Sequence, residues 1–162
     1  MLETYVEKWP TPRIENFLYM LRSGMMGWLT IMQDSTAWAA EQHHAAKTVF
    51  ALYKRDLRPL IRDADLYHVS GRPDGVHWDG IEYFDSAKGR GVLYAFRGST
   101  PKESKHNFVL KGLQEGRSYQ LHFQDHPTAD RQASGRELMS RGVMVELPVP
   151  LSSELVLIEE AK

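Results

Sequence analysis

The chain has 162 residues, of which 42% are hydrophobic and 25% charged, and its formal net charge is -1. These are ordinary globular values, and the length suits one domain with a sizeable appendage. The near-neutral charge and the lack of any basic block argue against nucleic-acid binding through a phosphate-neutralising patch. Because the chain has no cysteine, disulfides, thiolate metal sites and cysteine nucleophiles are excluded.

The N-terminus does not resemble a targeting segment. Glu3 and Glu7 lie where a signal peptide needs a basic start and an apolar core. The longest apolar stretch, residues 25–32, is too short to span a bilayer. We therefore expect a soluble chain without a signal peptide or a membrane partner, and the compartment stays open.

The sequence changes character near residue 63. Before this point the patterns are helical around one apolar run, and after it short alternating segments are separated by glycine, proline and aspartate. Helical segments followed by a run of strands indicate segregated α and β parts. We predict an α+β fold, in which a helical N-terminal segment (residues 1–62) packs on a C-terminal antiparallel β-sandwich (residues 63–162).

The first helix is predicted from its start signals. Thr11 can act as the N-cap, and Pro12 occupies the first helical position. Apolar residues then recur at helical spacing over residues 14–21, although part of this stretch also alternates as a strand would. The apolar run at residues 25–32 fits either a buried parallel strand or a buried helix segment, because periodicity alone does not distinguish them.

The clearest helix follows the capping residues at positions 34–36. We expect it to end near Arg58, because Pro59 disfavours helical geometry at the residue before it. Together with the preceding run it would form a β-α unit, which cannot bury itself alone. Its apolar stripe comprises Trp38, Ala45, Val49, Tyr53 and Leu57.

The C-terminal part is predicted to contain seven short strands. Tyr119, Leu121 and Phe123 alternate with polar residues, which is the half-buried antiparallel pattern. Seven short strands separated by turn signals are typical of a sandwich. The predicted strands are 66–69, 78–84, 92–97, 107–110, 118–124, 143–147 and 155–159.

The sequence predicts neither a metal site nor a cofactor. The histidine pair His43 and His44 lies on a predicted helix, where neighbours point about 100° apart and do not chelate one ion. His122 and His126 would share a strand face, but Pro127 marks the end of that strand. Residues 89–91 resemble a dinucleotide-binding loop only in part, and a hairpin turn is the favoured interpretation.

Carboxylates could support hydrolysis of a glycosidic bond only as a pair, about 5 to 10 Å apart. Asp79, Glu82 and Asp85 lie on one predicted strand, but residues three apart on a strand point to opposite faces. A bulge could bring Asp79 and Glu82 together, and Asp79-Gly80 indicates a turn or bulge. We predict no catalytic residue, and an enzyme built on this cluster is the third of three hypotheses.

Trp78 is the one residue whose sequence context indicates a sugar-binding site. It lies beside polar groups at a strand start, where an exposed indole could stack on a sugar ring. The competing interpretation, which we favour, is that Trp78 packs in the core as most aromatic residues do. The candidate sugar-binding set comprises His77, Trp78, Asp79 and Glu82.

An ordered set of motifs carries a resemblance to a known family. Residues 50–61 resemble the "YK…RPLI" helix end that closes the catalytic barrel in α-galactosidases of glycoside hydrolase family 36. Three later segments resemble the strands that follow the barrel, namely residues 66–68, 78–83 and 91–97. Residues 110–113 with Tyr119 resemble the "L-x-G-L…Y" hairpin of the family. Residues 135–143 resemble its "G-x-x-L-M…G" turn.

The resemblance implies a part of such a protein without its chemistry. Residues 22–27 resemble the last barrel strand and its approach, whereas no stretch matches the motifs of the family's two catalytic aspartates. We therefore expect a non-catalytic, structural C-terminal region of a protein of carbohydrate metabolism, with the barrel as its partner in a full-length parent. The alternative is an independent carbohydrate-binding module. Without the barrel, exposed apolar surface predicts a homodimer or an N-terminal segment that folds back.

Overall fold

A computed structural model describes residues 13–27, 29–31 and 34–161. Among these residues no helix is long and apolar enough to cross a membrane. The helices are α1 (Ile14–Gly24), α2 (Ala40–Leu52), α3 (Arg58–Asp63) and α4 (Gly135–Ser140). The strands are β1 (Asp65–His68), β2 (Trp78–Asp85), β3 (Arg90–Arg97), β4 (Lys105–Phe108), β5 (Ser118–Phe123), β6 (Arg131–Ser134), β7 (Val143–Glu146) and β8 (Ser152–Glu160).

The strands form two antiparallel sheets. The large sheet has six strands in the order β1-β2-β3-β8-β5-β6, and β4 pairs with β7 in a small second sheet. One face of the large sheet packs on the small sheet and α4, which forms the sandwich core. Its other face packs on the N-terminal helices, which forms the helix-side core. The predicted α+β fold is confirmed.

The first helix settles the choice between helix and strand for residues 14–21. α1 buries Phe17 and Leu21 against the sheet, and the Met25 N–H closes its last turn on the Arg22 carbonyl at 3.1 Å. The buried residues Phe17, Leu21 and Arg22 share one face of a helix. A strand would place Leu21 and its neighbour Arg22 on opposite faces. The predicted start at Thr11 and Pro12 lies outside the described residues.

The apolar run at residues 25–32 forms neither a strand nor a helix over its described residues, 25–27 and 29–31. Met25 is buried as part of the end of α1, whereas Ile31 is 38% exposed. A parallel strand needs neighbouring strands for its backbone hydrogen bonds, and no strand of the large sheet pairs with this segment. Neither of the two alternatives, a buried parallel strand or a buried helix segment, is therefore present over these residues; Trp28 and Met32 lie outside the described ranges.

The predicted cap of α2 lies one turn too early. The Asp34 side chain accepts the Thr36 N–H at 2.9 Å, but it caps only a single 3₁₀ turn over Ser35–Ala37. Trp38 is extended and packs edge-on against Phe17, with ring centroids 5.0 Å apart. α2 then begins at Ala40, where the Gln42 side chain accepts the Ala39 N–H at 2.8 Å.

The prediction that the helix ends at Arg58 is wrong, because the helical path continues through Pro59 to Asp63. A π-helical turn over Tyr53–Leu57 joins α2 to α3, and the Arg58 N–H donates to the Tyr53 carbonyl five residues earlier. This widened turn lets the proline ring fit, since Pro59 is then the second residue of a new helical segment. The buried apolar side chains of the joined helix are Ala46, Val49, Leu52 and Leu57. Ala46 and Leu52 are therefore buried where the predicted stripe had their neighbours Ala45 and Tyr53.

All seven predicted strands are present, with ends displaced by a few residues. Two elements were not predicted. β6 is an edge strand of polar sequence that pairs only with β5, so it lacks an apolar alternation. α4 replaces the expected turn at residues 135–143, and the Ser134 side chain caps it by accepting the Glu137 N–H.

The expected turn or bulge at Asp79-Gly80 is also wrong. β2 pairs with β3 in continuous register, from Trp78 opposite Arg97 to Asp85 opposite Arg90. Glycine is required at position 80 for packing, because a Cβ there would lie 2.4 Å from a ring carbon of Phe108. Close approach of another element is a common reason for glycine inside a strand.

The change of character near residue 63 matches the boundary between α3 and β1. However, the helices and the large sheet share the helix-side core, so the two parts bury each other. The division into residues 1–62 and 63–162 as separate domains stays a prediction.

Candidate functional site

The four residues of the predicted sugar-binding set do not lie on one surface. Trp78 and Glu82 point to the sandwich-core side of β2. Asp79 points to the helix side, where burial and the Asp79 charge raise the pKa of Tyr19. His77 is exposed in the preceding loop and lies 2.7 Å from the Asp74 carboxylate.

Trp78 is partly covered by other aromatic rings. The His106 imidazole stacks on the indole with a centroid distance of 5.3 Å and an interplanar angle of 16°. Phe108 approaches the same indole edge-on at 6.2 Å. One indole face is therefore occupied by His106, and sugar binding by Trp78 stays a prediction.

Glu82 is sealed in the sandwich core. Its Oε2 accepts the Lys111 N–H at 2.7 Å, and its Oε1 has no hydrogen-bond partner among the described residues. Desolvation raises the pKa of Glu82 to about 8, although the Lys111 N–H and charge oppose the rise. The side chain is therefore largely protonated at neutral pH, but it is fully buried and does not face Asp79.

The strongest polar constellation lies elsewhere, around a cavity of about 260 Å³ that we call the Asp125–His126 site. The cavity lies between α1, the segment after β5 and the turn that leads into β8. Its lining residues are Glu15, Leu18, Asp125, His126, Leu147, Pro148, Val149, Ser152 and Ser153.

A buried arginine holds Asp125 in place. Arg22 is 2% exposed, and its two terminal nitrogens donate to the two carboxylate oxygens of Asp125 at 2.6 and 2.8 Å. One of these nitrogens also donates to the Ser153 carbonyl at 2.8 Å. This bidentate geometry fixes the carboxylate plane and joins α1 to the large sheet.

A buried glutamate holds His126 in the same way. The Glu154 Oε2 lies 2.7 Å from His126 Nδ1, and Oε1 accepts the N–H groups of Asp125 and Leu155. Burial and the Asp125 charge raise the pKa of Glu154, whereas the His126 contact lowers it. This contact occupies His126 Nδ1, which leaves Nε2 as the ring nitrogen that can meet a ligand.

Sequence reasoning missed this site. Asp125 directly follows the predicted strand at residues 118–124, and His126 was considered only together with His122 at the end of that strand. The available signal was Glu154, an acidic residue directly before the apolar run 155–158 of the central strand β8. A charge at such a position needs a partner, although the sequence does not say which.

A second concave surface lies on the outside of the helical layer. This helix-side groove has a volume of about 920 Å³. It combines apolar side chains with three cations and, over its described lining, no acidic residue. Its lining residues are Gly27, Leu29, Ile31, Phe50, Tyr53, Lys54, Arg58, Pro59, Ile61 and Arg62.

A metal centre finds no support in the described parts of the chain. Over residues 13–27, 29–31 and 34–161, no three histidine, aspartate or glutamate side chains come together as potential ligands.

The fold is similar to part of several solved α-galactosidases. One is the α-galactosidase from Lactobacillus brevis, with 20% identity and a TM-score of 0.68 over 85% of this chain and 19% of that one. Another is the GH36 α-galactosidase AgaB from Geobacillus stearothermophilus, with 20% identity and a TM-score of 0.70 over 88% and 19%. AgaA from the same organism gives 19% identity and a TM-score of 0.67 over the same shares.

These identities establish a shared fold, and this chain spans about a fifth of the length of each of those proteins. No curated protein matches the sequence significantly.

A family model gives the assignment that the fold alone does not. The model described as the glycosyl hydrolase family 36 C-terminal domain matches residues 78–158, which is half of the chain. The match runs from the first residue of β2 into β8, so it includes most of the large sheet and all of the small one. The chain therefore belongs to the glycosyl hydrolase family 36 C-terminal domain family.

Proposed function

We propose that this chain is a non-catalytic structural module that packs, through its helix-side groove, on the catalytic barrel of an α-galactosidase-like glycoside hydrolase. The observation that carries the proposal is the apolar groove on the outside of a helical layer whose inside already lies on the sheet. The similar α-galactosidases supply the class of partner, since this chain corresponds to 19% of their length.

The joined α2–α3 helix has apolar side chains on both sides. Val49 and Leu57 are buried towards the sheet, while Phe50, Tyr53 and Ile61 line the groove. A surface helix is normally polar on the side that faces water. A concave apolar surface of this kind marks an interaction site.

The irregular stretch beside the groove also supports a barrel partner. Leu29 and Ile31 line the groove without forming a strand. The adjacent residues 22–27 resemble the approach to the last barrel strand. A barrel would offer this stretch the neighbouring strand that the large sheet does not.

The cations of the groove favour a barrel over a second copy of the chain. In a twofold dimer the same patch meets itself, so Lys54, Arg58 and Arg62 would face their own copies. Lys54 and Arg58 have no ion-pair partner among the described residues, so this repulsion would not be relieved within the chain. A barrel surface with an apolar ridge and flanking carboxylates fits the groove better.

Complex formation with a barrel tests the proposal. The chain and the catalytic barrel of a GH36 α-galactosidase are produced as separate polypeptides, and light scattering after gel filtration should give a one-to-one complex. The variant Phe50→Glu should weaken the complex by about 10- to 100-fold, because burial of a large apolar side chain is worth about 1.5–3 kcal/mol.

Two further variants make this experiment decisive. Ala51→Glu places the same charge at the neighbouring exposed position, outside the groove, and should leave the affinity unchanged. Ile31→Glu changes a groove residue in the irregular stretch and should weaken the complex without loss of α2. The proposal fails if the wild-type chain forms no complex, or if Ala51→Glu weakens it as much as Phe50→Glu.

The pure chain should not hydrolyse a nitrophenyl α-galactoside. Its two candidate carboxylates, Asp79 and Glu82, lie on opposite faces of β2, and Glu82 is sealed in the sandwich core. Release of nitrophenol is followed by absorbance, with AgaB assayed in parallel as a positive control. Turnover that disappears in the Asp79→Asn variant would contradict the non-catalytic assignment.

A further inference from the structure

The Asp125–His126 site is held by more buried charged side chains than packing alone requires. Arg22 and Glu154 are almost fully buried, and each contacts one of the two polar residues at the front of the cavity. Burial of a charge costs several kcal/mol before its partner compensates, and well-packed apolar residues often stabilise a fold equally well. Buried groups that orient exposed ones are the usual arrangement behind a binding site.

The cavity is built on elements that hold its shape. α1 supplies one wall through Glu15 and Leu18, and the start of β8 supplies another through Ser152 and Ser153. Arg22 of α1 joins these two walls by donating to the Ser153 carbonyl at 2.8 Å, and its salt bridge holds Asp125 beside them. The polar groups are therefore positioned before any ligand arrives, which lowers the entropic cost of binding.

We propose that the Asp125–His126 site binds a small neutral polyol of monosaccharide size. The Asp125 carboxylate would accept a hydrogen bond from one hydroxyl group, and His126 Nε2 would form a hydrogen bond with a neighbouring hydroxyl group, which can donate or accept. Leu147, Pro148 and Val149 form an apolar wall on which the C–H groups of a ring can lie. The proposal does not depend on the helix-side groove and goes beyond the structural role.

Charge and volume limit the ligand class. Glu15, Asp125 and Glu154 are acidic, and among the described residues Arg22 is the one arginine in direct contact with them, so an anion would be repelled. The volume of about 260 Å³ lies below the range of roughly 300–1,000 Å³ that is typical of pockets for drug-sized ligands. A single sugar ring fits this size, and an oligosaccharide would have to extend into solvent.

Titration of the ¹⁵N-labelled chain with D-galactose tests the site. We expect saturable binding with a Kd on the order of millimolar, as befits a ligand with few non-hydrogen atoms. The amide shifts should concentrate at Leu18, Asp125, Ser152 and Ser153. Glycerol and methylammonium chloride, titrated in parallel, distinguish a ring-sized polyol from any hydroxyl compound and from a cation.

A matched pair of variants gives the control. His126→Gln should weaken galactose binding about tenfold or more, because the ring nitrogen that would meet the sugar hydroxyl is removed. His122→Gln removes a similar histidine, which lies 3.0 Å from Asp130 and does not line the Asp125–His126 site, and should leave binding unchanged. Both histidines are partly exposed, so both variants should fold, which a ¹⁵N spectrum verifies.

Four results would overturn the proposal. The first is no saturable shift with galactose, and the second is methylammonium binding at least as tight. The third is equal weakening by His122→Gln and His126→Gln. The fourth is binding that survives His126→Gln but is lost in Trp78→Ala, since this would assign the sugar to the surface near Trp78.

Discussion

Replacement of Glu82 by glutamine is expected to stabilise the chain by several kcal/mol at pH 8 and to have little effect at pH 4. Burial raises the pKa of Glu82 from 4.5 to about 8. The folded protein therefore binds a proton at this site that the unfolded chain releases above pH 4.5. A glutamine amide keeps the acceptor for the Lys111 N–H and carries no charge at any pH.

The sign of the pH dependence follows from linkage. Stability from Glu82 is complete below pH 4.5, falls as the pH rises towards about 8, and stays low above that value. The slope within this window is about 1.4 kcal/mol per pH unit for one full proton. Wild type should therefore lose stability relative to Glu82→Gln steadily between pH 5 and pH 8.

Urea denaturation of both proteins at several pH values measures this difference. Burial also raises the pKa of Glu154, but this residue is the same in both proteins. The difference in stability between wild type and Glu82→Gln therefore reports the contribution of Glu82. Glu146→Gln is the control, since Glu146 is exposed beside Lys105 and should change stability by less than about 1 kcal/mol at every pH. An unchanged pH slope in Glu82→Gln, or lower stability than wild type at pH 8, would contradict the assignment.

The strands were predictable because each has one face in the sandwich core. Tyr119, Leu121 and Phe123 are buried and the residues between them are half-buried. The alternation of apolar and polar residues in the sequence therefore matches the alternation of side chains between the two faces of the strand. β6 carries no such alternation because it is a polar edge strand with a single neighbour. Alternation therefore predicts strands with one-sided burial such as β5, whereas β3 and β8 are buried on both faces and carry continuous apolar runs.

The helical part was predicted less well, because its boundaries depend on backbone geometry that composition does not encode. Pro59 ends most helices, yet a π-helical turn makes room for it here. The extended Trp38 separates the capped 3₁₀ turn from α2 because its indole packs on α1. Both outcomes are decided by contacts between elements.

The Asp125–His126 site was beyond local sequence reasoning for a related reason. Arg22 precedes Asp125 by 103 residues, and Glu154 follows His126 by 28. Only the pairing of β5 with β8 and the packing of α1 on the sheet bring these groups together. The helix-side groove was partly foreseen, because a β-α unit with apolar residues on several faces cannot bury all of them alone.

Arg97→Met is expected to destabilise the chain by about 3–5 kcal/mol, which is among the largest effects of a single substitution. Arg97 is 5% exposed at the end of β3. Its terminal nitrogens donate to the carbonyls of Leu147, Pro148 and Pro101 at 2.7 to 2.8 Å. These bonds tie two loops to the large sheet, and each hydrogen bond from a charged donor contributes about 1.5–3 kcal/mol.

The loss of stability in Arg97→Met comes from the missing hydrogen bonds to the two loops. Methionine fills much of the volume of Arg97 but leaves the carbonyls of Leu147 and Pro101 buried without donors. Arg97→Lys keeps the charge but not the planar fork that serves both loops at once, so its cost should fall between those of wild type and Arg97→Met. Arg90→Met changes the other, exposed end of the same strand and should cost less than about 1 kcal/mol.

Thermal and urea unfolding of the four proteins measure these costs. Leu147 and Pro148 also line the Asp125–His126 site, so Arg97→Lys should weaken galactose binding even at temperatures where the variant is fully folded. Stability and galactose binding are linked because Arg97 holds the backbone of Leu147 and Pro148, whose side chains form part of the apolar wall. A cost for Arg97→Met no larger than that for Arg90→Met would mean that the two loops hold their positions without the arginine.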